Sequence, residues 1–114
     1  MGLLGVALGA FGAHALKPML LESGRLETYE LAVRYQFYHA GALLTAGILQ
    51  QLFPNVSLRW SSILFLSGTL LFSGSLYVLC FTGITTIAMI TPFGGVLLIG
   101  GWLTLAIGIA RSVK

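Results

Sequence analysis

Residues 60–81, WSSILFLSGTLLFSGSLYVLCF, contain no charged side chain, and the chain stays uncharged as far as residue 110. A membrane-spanning helix needs about 20 predominantly apolar residues to cross about 30 Å of hydrocarbon. The uncharged stretch between Arg59 and Arg111 therefore has room for two spans and the turn that joins them. We predict that this half of the chain crosses a membrane twice.

The composition of the whole chain supports the same class of protein. Hydrophobic residues make up 57% of the 114 residues and charged residues 8%, against about 25% charged residues in an ordinary soluble domain. A soluble domain of this size needs far more polar surface to cover its core. We therefore interpret residues 1–114 as one compact integral membrane domain, with membrane lipids as its partners.

Two features of the charge and cysteine content argue against other classes. The net charge of +3 is scattered along the chain without a Lys/Arg cluster, so no nucleic-acid partner is expected. The lone Cys80 cannot form an internal disulfide, and the residues around it lack the spacing of metal ligands.

Four hydrophobic segments separated by turns predict an all-α fold. Pro54 and Asn55 break the chain after the second segment, and Gly83 and Pro92 lie in the break before the fourth. Short connections make neighbouring helices antiparallel, so we expect an up-down four-helix bundle in the membrane. The predicted spans cover about residues 1–16, 35–53, 60–81 and 93–110.

The connection from Lys17 to Arg34 holds all the acidic residues of the chain. Apolar side chains such as Leu26 and Tyr29 recur there at helical spacing while the charged ones lie elsewhere around the helix. Glu30 precedes Arg34 by four positions, an order that favours an ion pair on a helix. The pattern predicts an amphipathic interfacial segment that leads into the second span. Its charged face is interpreted as solvated, with a docking surface for a partner as the alternative.

Small residues recur at one-turn spacing on three of the segments. Lipid tails compete equally with apolar side chains, so helices in a membrane associate by close backbone approach, which small residues permit. We predict that these faces pack the helices, and they would also allow a homo-oligomer. Gly94 and Gly95 are interpreted as turn or packing residues rather than as a ligand contact. The small-residue faces consist of Gly2, Gly5, Gly9 and Gly12; of Ser67, Gly68, Gly74 and Ser75; and of Gly100, Gly101, Thr104 and Gly108.

The two histidines lie near the ends of neighbouring segments, which antiparallel packing would bring together. The third segment starts on the opposite side and therefore delivers its last polar residues to the same end. We expect His39 to be buried between helices near Ser73 or Tyr77, and His14 to be the more exposed of the two. The predicted polar layer comprises His14, Lys17, Arg34, Tyr35, Tyr38, His39, Ser73, Ser75 and Tyr77.

Three interpretations of this layer stay open. Its side chains could hydrogen-bond between helices and sit at headgroup level, or they could bind a lipid headgroup or a quinone. In the third, His14 and His39 are paired axial ligands of a haem, although His14 lies opposite the glycine face of its helix. The favoured interpretation is the first, with no cofactor and no metal site.

Catalysis and transport are both disfavoured. No acidic residue lies inside a predicted span, so a serine and histidine pair would lack the orienting acid of a triad. Ionisable groups cluster at one end rather than at the midplane, where transport pathways need them. The Lys/Arg count is equal at the two ends, and the uncompensated Arg111 and Lys114 favour cytoplasmic termini.

Five short motifs carry a family resemblance over nearly the whole chain. They are GAFGAHALK at residues 9–17, YQFYHA at 35–40, FSGSLY at 72–77, TPFGG at 91–95 and GGWL at 100–103. In this order and spacing they resemble the small bacterial membrane proteins typified by YwdK and YgdD, a domain of unknown function. The resemblance implies four transmembrane helices in a bacterial plasma membrane, and it implies neither an established activity nor known site residues.

Overall fold

The computed structural model describes residues 1–55 and 57–112, and nearly all of them are helical. No strand occurs among these residues, so the predicted all-α class is confirmed. The elements are α1 (Gly2–Ala13), α2 (Lys17–Ser23), α3 (Leu26–Leu52), α4 (Arg59–Thr82), a short 3₁₀ helix (Thr85–Met89) and α5 (Thr91–Ser112).

The charged connection after α1 does not form one interfacial helix. Gly24 adopts the left-handed conformation, with φ 71°, which glycine reaches without the steric cost of a Cβ, and it ends α2 after seven residues. The chain then starts α3 at Leu26 and continues without a break to Leu52. The charged residues from Glu27 to Arg34 are therefore the first turns of a long helix, and the predicted second segment lies inside it.

Successive long helices run antiparallel. Gly5 of α1 lies against Phe37 of α3 and Gly12 against Tyr29, so residue numbers rise on one helix as they fall on the other. The pairing of α3 with α4 has the same sense, and so has the pairing of α4 with α5. The contacts that set the last two directions are Cys80 with Arg25, Leu58 with Gln50, Ser75 with Thr91, and Ser61 with Thr104.

The helices form a thin, elongated layer, with Cα extents of 54 × 26 × 14 Å. Helix α1 packs chiefly on α3, α3 on α4, and α4 on α5. The glycines of α1 lie against α3 between Tyr29 and Phe37, in the first half of that helix. The second half of α3 is covered instead by α4 and by a contact from α5.

Two stretches among the described residues are long and apolar enough, taken alone, to cross a membrane: α4 and residues 85–112. Helices α1 and α2 meet the same criteria only as a pair, which is bent by 70°. Helix α3 is less apolar because polar side chains recur along it, and the structure buries Gln36 and His39 against other helices. Polar side chains in a membrane helix face protein partners in this way.

Glycine permits a close contact between the backbones of α4 and α5. A Cβ added to Gly94 would lie 2.5 Å from the backbone nitrogen of Phe72 and 2.9 Å from the carbonyl oxygen of Gly68. One added to Gly101 would lie 2.7 Å from the ring of Phe65. The predicted packing role is thus confirmed for Gly68 and Gly101, and Gly94 serves helix packing rather than a turn.

The other glycines of the predicted small-residue faces differ in whether a neighbouring helix packs against them. Gly5, Gly9 and Gly12 all lie against side chains of α3, as expected for a packing face. Gly2 and Gly74 have no atom within 4 Å of an added Cβ, so they do not contribute to close packing. The packing faces are therefore shorter than the sequence pattern suggested.

Adjacent glycines give a matched test of the contact between α4 and α5. Gly94→Ala should lower the free energy of unfolding by about 1–3 kcal/mol, the usual cost of overpacking, because the new methyl meets backbone atoms. Gly95→Ala should be nearly neutral, since its methyl would lie 3.9 Å from the ring of Phe72. Thermal unfolding in detergent measures both, and equal midpoints for the two variants would contradict this packing.

Candidate binding groove

Aromatic side chains from three helices gather around His39, which is 4% exposed. The imidazole centroid lies 5.8 Å from the ring of Phe65 on α4 and 5.9 Å from that of Trp102 on α5. Tyr35, one turn earlier on α3, stacks with the imidazole at 6.0 Å and with Phe72 at 4.5 Å. His39 is therefore the residue at which α3, α4 and α5 meet.

Two hydrogen bonds fix the orientation and the tautomer of His39. The indole Nε1–H of Trp102 donates to Nε2 of His39 over 3.1 Å. Because an indole nitrogen only donates, Nε2 must be the unprotonated acceptor of a neutral imidazole. The proton is then on Nδ1, which donates to the carbonyl oxygen of Tyr35 over 2.8 Å. Both ring nitrogens are thus occupied by protein partners.

A groove of about 450 Å³ lies beside this cluster, between α3 and α5. Pockets that bind small molecules have volumes of about 300–1,000 Å³ and mostly apolar walls with a few polar groups. No charged side chain lines this groove within the described part of the chain. It is lined by Tyr35, Tyr38, His39, Phe72, Gly95, Leu98, Ile99 and Trp102.

Two hydroxyl groups on the groove have unused hydrogen-bonding capacity. Across residues 1–55 and 57–112, the phenol groups of Tyr35 and Tyr38 make no hydrogen bond to protein, and Tyr38 is 58% exposed. A phenol can both donate and accept. The groove therefore offers neutral hydrogen-bonding groups on an aromatic wall and no cation for an anionic ligand.

The polar residues of α4 have a different role, because they are bonded to other helices. Ser73 Oγ donates to the carbonyl oxygen of Ala32 over 2.8 Å, and the Tyr77 hydroxyl donates to Gln36 Oε1 over 2.7 Å. Ser75 and Thr91 join α4 to α5 through their hydroxyls. These members of the predicted layer hold helices together and do not line the groove.

The remaining predicted members, His14, Lys17 and Arg34, are exposed and lie outside the groove. Gly12 lies against Tyr29, so His14 lies near the start of α3, and its distance from His39 along the helix is about 18 Å at about 1.5 Å per residue. The structure does not bring the two histidines into one layer. The reason is that α3 starts at Leu26, which moves His39 several turns from the end that α1 reaches.

The distance between His14 and His39 argues against the haem interpretation. Paired axial ligands must reach opposite faces of one iron, which side chains about 18 Å apart by helical rise cannot do. Among the described residues, moreover, no group of three His, Cys, Asp or Glu side chains could hold a metal ion. The predictions that His39 is buried and His14 exposed are confirmed, but the partners of His39 are Tyr35 and Trp102 rather than Ser73 or Tyr77.

Sequence reasoning missed several residues that build the groove. Trp102 and Phe72 belong to the motifs GGWL and FSGSLY, which carry the family resemblance but assign them no role, and Phe65 lies in an apolar run that predicts only a span. Gln36 was also overlooked, although its amide joins α3 to Tyr77 and, through Nε2, to the carbonyl oxygen of Met1 over 2.9 Å. A glutamine within an apolar segment was the available signal, because such a side chain needs a protein partner.

The two histidines provide a matched comparison of stability. His39→Leu removes the bond to Trp102 and should lower the free energy of unfolding by about 0.6–2 kcal/mol, whereas His14→Leu should have little effect because His14 is exposed. Trp102→Phe should lower the free energy of unfolding by a similar amount. The decrease in the double variant should be smaller than the sum of the two single decreases. Thermal unfolding in detergent measures all four variants, and additive losses would contradict a direct bond.

Comparison with known proteins supports the family resemblance. The family described as "Protein of unknown function (DUF423)" matches residues 8–95. A UPF0382 membrane protein of Staphylococcus saprophyticus is 44% identical over 106 residues, which cover 93% of this chain and 87% of the relative. The UPF0382 inner membrane protein YgdD of Escherichia coli is 38% identical over 112 residues, 96% of this chain and 83% of the relative.

No solved structure matches the chain. The predicted resemblance to the YgdD-like proteins is confirmed by the matched family and by relatives that cover most of the sequence. The chain belongs to the DUF423 family of proteins of unknown function.

Proposed function

We propose that the chain is a non-enzymatic, multi-span protein of the bacterial inner membrane whose groove between α3 and α5 binds the ring of a quinone. The observation that carries this proposal is the set of neutral polar groups on the aromatic wall at His39. The helices support the membrane arrangement, and the groove supports the ligand.

The proposed membrane arrangement is supported by how apolar each helix is and by which polar side chains it buries. Helices α4 and α5 are apolar enough to span alone. Helix α3 becomes compatible with a span once Gln36 and His39 are turned towards protein, as they are here. Helices α1 and α2 together would form a bent first segment. With α1 antiparallel to α3, the four segments would then follow one another in up-down order.

Location in the inner membrane is supported by the printed name of the Escherichia coli relative, an inner membrane protein. We propose that both termini are cytoplasmic, because Arg111 and Lys114 have no acidic neighbour in the sequence and basic residues favour the cytoplasmic side. Lys114 itself lies outside the described residues.

A quinone fits the groove better than a phospholipid headgroup does. A quinone ring carries two carbonyl acceptors and a flat face, which match the free hydroxyls of Tyr35 and Tyr38 and the aromatic rings around them. A phosphate would need a cation, and none of the described residues that line the groove is charged. The exposed apolar side chains of Val96, Ile99 and Leu103 on α5 would accompany an isoprenoid tail.

The side chains near the proposed quinone ring support a binding role without catalysis. The acidic side chains of the chain, Glu22, Glu27 and Glu30, precede the groove residues of α3. His39 uses both nitrogens for protein hydrogen bonds, so it is not poised to take a proton from a ligand. The groove would therefore retain a quinone in the membrane rather than transform it.

A homo-oligomer stays part of the proposal, with a different surface from the predicted one. Most of the small-residue faces pack helices within one copy of the chain. Gly41 and Gly47 on the second half of α3 have no atom within 4 Å of an added Cβ. A second copy would pack there, where small residues permit close approach.

Tryptophan fluorescence tests the ligand directly, because the chain has two tryptophans and only Trp102 lines the groove. In the Trp60→Phe protein, a short-chain ubiquinone added to detergent should quench the fluorescence of Trp102 with saturation. Adding Tyr38→Phe to that variant should weaken binding about fivefold, since one hydrogen bond contributes about 1 kcal/mol.

The Trp102→Phe protein, which retains only Trp60, is the matched control for non-specific quenching in the micelle. Its fluorescence should decrease only slightly, and linearly, with the concentration of the same quinone. A long-chain alcohol of equal hydrophobicity should not displace the quinone from the Trp60→Phe protein. Linear and equal quenching of both tryptophans would overturn the proposal.

A further inference from the structure

A second groove, separate from the one at His39, lies between α1 and α3 and has a volume of about 260 Å³. Its apolar part is formed by Gly9, Gly12 and Ala13 of α1 together with Tyr29 and Val33 of α3. The small residues of α1 leave this wall of the groove apolar and without large side chains. Such a wall suits contact with a hydrocarbon chain.

The rim of this groove carries one acid and one base, Glu30 and Arg34. They are one helical turn apart, at a spacing where a Glu and an Arg commonly pair. Here neither side chain forms an ion pair with any residue of the described chain, and both are exposed. The predicted ion pair between them is therefore absent, and the two charges are available to a ligand.

The rim also lies at the charged end of the molecule. Lys17, Glu22, Arg25 and Glu27 are all on α2 or at the start of α3, and charged residues of a membrane protein gather at the depth of the lipid headgroups. The long side chain of Arg34 can extend along the helix to reach that depth. A lipid beside α1 and α3 would thus bring its headgroup to the rim while its chain follows the groove.

We infer that this groove binds a zwitterionic phospholipid with a primary ammonium group, phosphatidylethanolamine. Arg34 would bind the phosphate, and the guanidinium fork suits phosphate oxygens. Glu30 would accept hydrogen bonds from the ammonium group, which follows the phosphate in the headgroup. The acyl chain would lie against Gly9, Gly12 and Val33.

The charge pair selects against the other common headgroups. Phosphatidylglycerol carries a phosphate and no cation, so it leaves Glu30 unpaired beside a negative charge. Phosphatidylcholine carries a cation without an N–H group, so it cannot donate a hydrogen bond to the Glu30 carboxylate. A headgroup with both a phosphate and an N–H-bearing cation satisfies both side chains. This inference does not depend on the quinone proposal, because the two grooves share no lining residue.

Native mass spectrometry of the full chain in detergent tests the inference. The three lipids, with identical acyl chains, are offered at equal concentration. Phosphatidylethanolamine should bind at least about threefold more than either of the others, a modest ratio because partly exposed ion pairs are weak. Glu30→Gln should abolish the preference without reducing phosphatidylglycerol binding, and Arg34→Gln should reduce binding of all three lipids.

Glu22→Gln and Arg59→Gln are matched controls, because both side chains are exposed and lie outside the groove, and neither should change the lipid ratios. Glu30→Lys should shift the preference to phosphatidylglycerol. Equal binding of the three lipids by the unmodified protein would overturn the inference even if a variant failed to fold. A preference that survives Glu30→Gln would overturn it as well.

Discussion

The close approach of α4 and α5 is the contact on which the rest of the structure depends. In a membrane, apolar side chains gain little by leaving lipid, so helices associate through contacts that lipid cannot reproduce. Gly94 brings its own backbone against that of Phe72 and Gly68, at distances where any side chain would meet main-chain atoms. This approach determines how far α5 lies from α3, and so allows Trp102 to reach His39.

Helix α3 is the second essential element, because it joins every other long helix through polar groups. The Tyr29 hydroxyl reaches the carbonyl oxygen of Leu8 on α1, and Gln36 joins the Tyr77 hydroxyl to Met1. Ser73 of α4 bonds to the backbone of α3 at Ala32. The polar side chains that make α3 the least apolar of the long helices are thus the ones that bind it to its neighbours.

These contacts leave two grooves with different chemistry on the surface of the layer. The groove at His39 is aromatic and uncharged, whereas the groove at Gly12 has Glu30 and Arg34 on its rim. From the sequence, a lipid headgroup and a quinone were alternative ligands of one polar layer, whereas we propose a separate site for each. We propose recognition of a neutral ring for one of them and of a charged headgroup for the other.

The sequence predicted those parts of the fold that depend on local pattern. Uncharged apolar runs predicted α4 and α5, and the spacing of Gly68 and Gly101 predicted a packing face. The rotation of each helix about its axis was not predictable, because it depends on all neighbours at once, so the contact of His39 with Trp102 was missed. The prediction of a shared layer of His14 and His39 was wrong for a related reason. Helix α3 starts at Leu26, several turns before His39.

His39 joins α3 to α5 through a neutral imidazole protonated on Nδ1. Nitrogen-15 NMR of the histidine side chains, recorded on the protein in lipid bilayers, observes this state directly. We predict an Nδ1–H tautomer for His39 at neutral pH, with an Nε2 resonance that shifts on Trp102→Phe while the signals of His14 stay unchanged. An Nε2–H tautomer, or an Nε2 resonance indifferent to Trp102→Phe, would contradict the account.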